Sequence, residues 1–309
     1  MTSLPTVTLC CIDTKFPDLG FSAIQRSIKS IEFGEILFFT NDKFIAPASD
    51  IPALRIVRTE SVSSVEEYSA FMIKGLNKHI STEHCLIVQW DGFVIHPESW
   101  NNEFLDYDYI GAPWSTKEGS VVGNGGFSLR SKRLLRALSS NEVTPHHPED
   151  DCICITNREL LESKWSISFS PVDIARKFSF EFSDYDRSQF GFHGFSNFPD
   201  VLDRDELLRF IDKMPDALFV NEYFIVFCRK LFALNDHEII SRISARLLSS
   251  LGELNNRRYN KKQISFLVEA LINLRLYKSA FGILLKRGIL SNWKSTYLKL
   301  MIRRFFRST

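Results

Sequence analysis

The chain lacks the features that most quickly assign a protein to a class. Its six cysteines, Cys10, Cys11, Cys85, Cys152, Cys154 and Cys228, include no CxxC pair. That excludes a zinc-ribbon pattern and offers no disulfide framework. Cys10, Cys11 and Cys85 lie in apolar runs and read as buried thiols. No stretch of about 18 apolar residues occurs, so no membrane-spanning helix is expected. Met1 to Pro5 carry no basic segment followed by an apolar one, so no signal peptide is expected and the reading is cytoplasmic. There is no aromatic stacking motif or basic strand pattern, so no nucleic-acid partner is expected. The net charge is only +1, which by itself names no partner.

What is present is 309 residues that are 44% hydrophobic and 24% charged, a soluble globular composition with room for one large domain or two. The charge is uneven. Leu254 to Thr309 hold 13 Lys/Arg and one acid, Glu269, for +12, while the preceding 253 residues hold 25 bases and 36 acids, for −11. A basic end on an acidic body suits an anionic surface. The Arg–Phe pairing in Ile302-Arg-Arg-Phe-Phe-Arg307 suits an interfacial helix at an anionic membrane. A solvated helical face is the alternative.

Strand and helix signals alternate through the first half. Thr6 to Ile12 reads as a buried strand ending at Asp13, and Phe21 to Ile31 as a helix. Glu35 to Thr40 is a second strand, ending at Asn41-Asp42, and Leu54 to Val57 a third. A helix is expected from Val65 to His79, then a buried strand through Leu86, Ile87 and Val88. Further strands are expected at Tyr107–Trp114, Asn124–Leu129 and Ile167–Phe169. A helix capped by Ser131 and another running from the Pro145–Asp151 segment to about Ser163 lie among them. This alternation indicates an α/β sheet covered on both faces. From about residue 200 only helical spacing remains, in Asp205–Lys213, Ala217–Leu234, His237–Leu251, Lys261–Asn273 and Tyr277–Lys286. The expected division is 1–199 and 200–309, an α/β domain followed by an all-α C-terminal region.

Ligands in such sheets sit beyond the carboxyl ends of the strands. That rule groups Asp13, Asn41, Asp42 and Asp91 on one side, although Asp and Asn also form turns without any ligand. Gly125-Gly126 would let a ligand approach the backbone closely, or would make an ordinary turn. Glu149-Asp150-Asp151 follow Pro148 at a helix start, where acids complement the helix dipole and can also serve as a general base. His193, in Gly-Phe-His-Gly, is either a packed imidazole or a metal ligand. Together these groups suit a nucleotide diphosphate: Asp91 and His193 would hold a divalent ion, and an acid of the 149–151 cluster would deprotonate an acceptor hydroxyl.

Six segments, Gln89-Trp-Asp-Gly92, Tyr109-Ile-Gly-Ala-Pro-Trp114, Gly123-Asn-Gly-Gly-Phe-Ser-Leu-Arg130, Pro148-Glu-Asp-Asp151, Phe178-Ser-Phe-Glu181 and Phe190-Gly-Phe-His-Gly194, occur in the order seen in a glycosyltransferase-like family frequent in bacterial polysaccharide loci. Over roughly residues 6 to 198 the chain resembles nucleotide-sugar transferases of GT-A fold, with a Rossmann-type mixed sheet. The resemblance implies transfer of a sugar from a nucleotide-diphosphate donor to a glycan or lipid-linked glycan acceptor in O-antigen or capsule synthesis. It matches Asp91 to the last acid of the Asp-x-Asp metal motif, with Gln89 in place of the first. It matches Gly125-Gly126 to the Gly-Gly turn of fringe-like inverting enzymes, and Glu149-Asp150 to their acidic pair, whose Asp is the base. Asp151 stands where an apolar residue is usual, so the register of the base is open by one. His193 matches a late His that completes the metal site, which implies Mn2+ or Mg2+. Asp13, Asp42 and Lys74 are counted with the donor-binding candidates. A non-catalytic nucleotide-sugar or glycan binder and a retaining transferase are the alternatives.

Overall fold

In a computed structural model, residues 1–45, 51, 53–59, 62–116, 119–256 and 259–286 are described. The basic segment 302–307, and with it the expected membrane contact, lies outside them. The chain divides into two compact units, Met1–Gly194 and Phe195–Thr309.

The first unit is built on a six-stranded mixed sheet of order β3-β2-β1-β4-β8-β5. β1 (Thr2–Ile12), β2 (Ile31–Thr40), β3 (Leu54–Arg58) and β4 (His84–Val88) run parallel. Alternate residues point to opposite faces of a strand, so each buried strand feeds two cores. Leu9, Cys11, Phe38, Leu86 and Val88 pack on one side, with Phe21 and Ile24 of α1 (Pro17–Ser27). Cys10, Ile12, Leu37, Phe39, Cys85 and Ile87 pack on the other, with Met72 and Leu76 from the helical segment that begins as α2 (Val65–Ala70). All six cysteines are buried and free.

β5 (Tyr109–Gly111) and β8 (Ser128–Ser131) complete the sheet, and β6 (Pro113–Thr116) pairs with β7 (Gly119–Val122) in a separate ribbon. β8 runs antiparallel to β4, so the residues entering β8 lie beside the residues leaving β4. This one reversal brings the 124–127 turn to the carboxyl ends of the parallel strands. α3 (Lys132–Ser139) follows, with the Ser131 side chain accepting from the Leu134 N–H as its cap. Then come α4 (Glu149–Asp151), α5 (Arg158–Trp165), α6 (Val172–Phe178) and the two-stranded parallel pair β9 (Ser179–Phe180) and β10 (Gly191–Phe192). The expected α/β mixed sheet flanked by helices, followed by a helical C-terminal region, is the architecture present.

Several boundaries differ from expectation. α1 begins at Pro17, whose fixed φ suits a first helical position, and ends at Ser27, so Ile31 starts β2. The expected helix Val65–His79 is interrupted by a π turn at Phe71–Gly75 and tightens to a 3₁₀ turn at Leu76–His79. The helix expected up to Ser163 is broken likewise by a π turn at Cys152–Thr156. The glycine pair lies in the turn before β8, not in a strand. Ile167–Phe169 contributes only a single bridge, between Tyr109 and Phe169.

The second unit is helical: α7 (Phe198–Val201), α8 (Arg204–Lys213), α9 (Glu222–Ala233), α10 (His237–Asn256), α11 (Lys261–Asn273) and α12 (Tyr277–Lys286). It contains a period that the sequence does not show. The turn between α9 and α10 puts Asn235 at φ 54°, and the turn between α11 and α12 puts Arg275 at φ 60°, 40 positions on. Leu234 and Leu274, four residues past Lys230 and Ala270, close the two helices with the same backbone bonds. Arg229 on α9 pairs at 2.6 Å with Glu269, its counterpart 40 residues later on α11. α9–α10 and α11–α12 are therefore two copies of one helical hairpin.

Candidate active site

Where β4 ends, Gln89 and Gly92 exchange backbone hydrogen bonds of 2.9 and 3.0 Å, which turns the chain through Trp90 and Asp91. Asp91 is thereby held, nearly buried, at the carboxyl end of the sheet. Asp13 occupies the matching position at the end of neighbouring β1. Its Oδ1 accepts the N–H groups of Lys15 (2.9 Å) and Phe16 (2.6 Å). Burial pushes the Asp13 carboxyl up to about 6; the backbone donors oppose the rise and the nearby Asp91 charge adds to it.

His193 reaches Asp91 through backbone register. Val94 bridges Gly191 and Ile95 donates to Phe190, so β10 runs alongside the chain that leaves Asp91. The Gly194 N–H then donates to the Asp91 carbonyl at 2.8 Å. The imidazole lies between two carboxylates, with Nε2 3.6 Å from Asp91 Oδ1 and Nδ1 2.9 Å from Glu181 Oε1. Burial opposes charge on the ring, but Asp91 and Glu181 outweigh it and hold the pKa well above the usual histidine range. Nε2 also lies 3.2 Å from Gln89 Oε1, and Gln89 Nε2 donates to the Tyr68 hydroxyl at 2.8 Å.

The turn before β8 touches this group and the acidic cluster together. Asn124, at φ 59°, places its Nδ2 3.1 Å from His193 Nδ1. The next residue, Gly125, donates its N–H to Asp150 Oδ2 at 3.0 Å. The residue after that, Gly126, has no room for a side chain, since a Cβ there would stand 2.2 Å from His193 Nε2. A Cβ on Gly125 would stand 2.1 Å from Glu149 Oε1. The close approach that the two glycines permit is thus made by His193 and Glu149.

The remaining candidates are placed differently. Glu149 is buried and bonded to Arg130, Asp150 is half-buried against Gly125, and Asp151 is half-buried one residue further on. Asp42 is exposed in the turn after β2, outside the hydrogen-bonded cluster. Lys74, expected with the donor-binding residues, instead donates to the carbonyls of Leu138 (3.0 Å) and Ser140 (2.5 Å). It satisfies the open end of α3, as a cation near a helix C-terminus does.

Glu181 was not among the sequence candidates for the site, although it closes the Phe-Ser-Phe-Glu segment. Its placement depends on β9 pairing in parallel with β10, which sets Phe180 opposite Phe192 and so brings the next residues, Glu181 and His193, together. Among the described residues no cluster of three or more His, Cys, Asp or Glu side chains has metal-ligand spacing. Asp91 Oδ1, His193 Nε2 and the Gln89 amide oxygen do converge, and Glu181 on Nδ1 is the carboxylate partner that metal-bound histidines commonly have. Such a donor set fits a hard divalent cation that takes its other ligands from phosphate and water.

A family model described as "Protein of unknown function (DUF5672)" matches residues 53–193. No curated protein matches the chain. Among solved structures, it is similar to the mannosyltransferase PcManGT from Pyrobaculum calidifontis, in complex with GDP-Man and Mn2+. The identity is 12%, the TM-score 0.37, and the match covers 97% of this chain and 86% of that one. The span shared with the family of unknown function closes on His193 and takes in Gln89, Asp91, the Asn124–Gly126 turn, Asp150 and Glu181.

Proposed function

We propose that the first unit is a glycosyltransferase that moves a sugar from a nucleotide-diphosphate donor to a hydroxyl of a glycan acceptor, with inversion. The observation that carries this is the Asn124–Gly126 turn, three residues that touch the carboxylate–histidine group on one side and the Asp150 carboxylate on the other. A diphosphate leaving group needs positive charge, and an attacking hydroxyl needs a base; one short turn supports both needs.

In this reading Asp91 and His193, with the Gln89 amide oxygen, would hold a divalent cation, Mn2+ or Mg2+. The cation, when bound, supplies charge neutralisation to the departing diphosphate. Glu181 keeps the Nδ1 proton of His193 in place, so that Nε2 is turned toward Asp91. Asp150 accepts the proton of the acceptor hydroxyl as its oxygen bonds to the anomeric carbon. The bond from that carbon to the diphosphate oxygen breaks, and the electron pair leaves with the nucleotide. The Gly125 N–H fixes the Asp150 carboxylate for that task. Asp13, at the next strand end, is placed to meet the nucleoside. The acceptor belongs to the cell-surface polysaccharide class.

The test is a panel of nucleotide sugars, GDP-mannose among them, scored by thermal stabilisation with and without Mn2+. Stabilisation by a subset of donors that Mn2+ enhances is expected. No stabilisation by any nucleotide sugar or nucleotide diphosphate would overturn the reading. For an active donor, the anomeric configuration of the product decides inversion.

A further inference from the structure

We infer that Arg130 and Glu149 act as a pair that positions Asp150, with Glu149 the anchor of the base and not the base itself. The kinetic part of this inference rests on the transferase reading; the structural part does not.

Arg130 lies on β8 and is entirely buried. Its Nε donates to Ser128 Oγ at 3.0 Å, and its Nη2 donates to the Gly125 carbonyl at 3.3 Å and to Glu149 Oε1 at 3.2 Å. Ser128 Oγ also donates to the Gly125 carbonyl, at 3.1 Å. Gly125 is therefore gripped at both ends, its carbonyl by Arg130 and Ser128 and its N–H by Asp150. Glu149 and Asp150 are adjacent in the chain, so the guanidinium that anchors Glu149 also sets where the Asp150 carboxylate can stand. Glu149 Oε1 faces Arg130 and fills the space over Gly125, and only 6% of the residue is exposed. An acceptor hydroxyl cannot reach an oxygen so enclosed, whereas Asp150 is half open.

The energetics favour a positioning role. A buried ion pair adds little stability over an apolar pair of similar volume, because both charges must leave water. Here Arg130 Nη1 has no hydrogen-bond partner among the described residues, which raises the cost of keeping the cation. A guanidinium stays charged at any working pH, so it holds the Glu149 carboxylate beside Asp150 under all conditions of turnover.

The experiment uses the full-length chain with Arg130→Met/Glu149→Leu, Arg130→Lys and Glu149→Gln. Three quantities are read: melting temperature, hydrogen exchange at the Gly125 amide, and steady-state kinetics with a nucleotide sugar that the wild type turns over. The double variant should melt close to the wild type. Its Gly125 amide should exchange at least about tenfold faster. Its kcat should fall at least about tenfold while the donor KM stays within about twofold. Arg130→Lys should recover part of the loss. Unchanged Gly125 protection in the folded double variant would overturn the inference, as would an unchanged kcat. If the double variant does not fold, Glu149→Gln, which keeps shape and loses charge, is expected to show the same changes in smaller measure, and their absence overturns the inference equally. If the wild type turns over no nucleotide sugar, the transferase reading falls, and Gly125 exchange alone decides the positioning.

Discussion

At pH values below its raised pKa, His193 carries protons on both nitrogens, and Asp91 and Glu181 hold the imidazolium between them. A folded-state pKa above the ordinary 6.5 contributes stability that is complete below 6.5 and is lost as pH rises through the folded value. The metal-free protein should therefore melt at lower temperature as pH climbs above 6.5, and His193→Asn should flatten that slope in a pH series of melting curves. Stabilisation by Mn2+ with a nucleotide diphosphate should run the other way, growing with pH, because the Nε2 proton must leave before a cation can bind. Asp13 gives a second, separable signal. Its folded pKa of about 6 lies above the ordinary 3.8, so its ionisation costs stability as pH rises through that window. Asp13→Asn can still accept the Lys15 and Phe16 N–H bonds, and it should stabilise the protein by about 3 kcal/mol above pH 6 but not below pH 4, read from the same melting series. Asp150→Asn should lower transfer by about 10²–10⁴-fold with donor binding kept, measured by turnover against donor titration. Gly126→Ala should abolish Mn2+-dependent nucleotide binding in a folded protein, since the added methyl would displace the His193 ring. Retained binding in that variant would remove His193 from the cation site.

The elements differ in how far the sequence foretells them. β4 and Asp91 were legible because three consecutive strand-forming residues stop at a polar turn, and α8 and α11 because amphipathic spacing comes with capping pairs, Asp203 with Glu206 and Asn260 with Gln263. The π turns at Phe71–Gly75 and Cys152–Thr156 were not legible, since one extra residue per turn leaves the apolar spacing nearly intact. Gly125-Gly126 was readable as a place of close approach, but what approaches, His193 and Glu149, comes from elements far apart in sequence. Glu181 depends on the pairing of two-residue strands, which no local pattern announces. The 40-residue hairpin period is hidden because what repeats is a backbone angle, carried by unlike residues, Asn235 and Arg275. Asn tolerates the left-handed region and β-branched residues do not. Asn235→Val should accordingly destabilise the second unit by about 1–2 kcal/mol in a denaturant titration, while Arg275→Asn should be close to neutral.

For the whole molecule, no helix among the described residues is long and apolar enough to cross a membrane, and the strongest long-range asymmetry is one of charge. The +12 of the last 56 residues opposes −11 in the rest, so an anionic surface would orient the molecule basic end first. Flotation with vesicles rich in anionic lipid should recover the full-length chain and much less of a chain ending near residue 285. Equal recovery of both would remove the idea of a basic anchor. The hairpin pair has a consequence for how this molecule can change in length. Helices that meet their counterparts through equivalent positions, as Arg229 meets Glu269, add in series, each contacting only the next. An array of that kind can gain or lose one 40-residue step at its growing end without disturbing the register of the steps before it. The reach of the second unit can thus be reset by duplication or deletion, leaving the Asp91–His193 and Asp150 geometry of the first unit untouched.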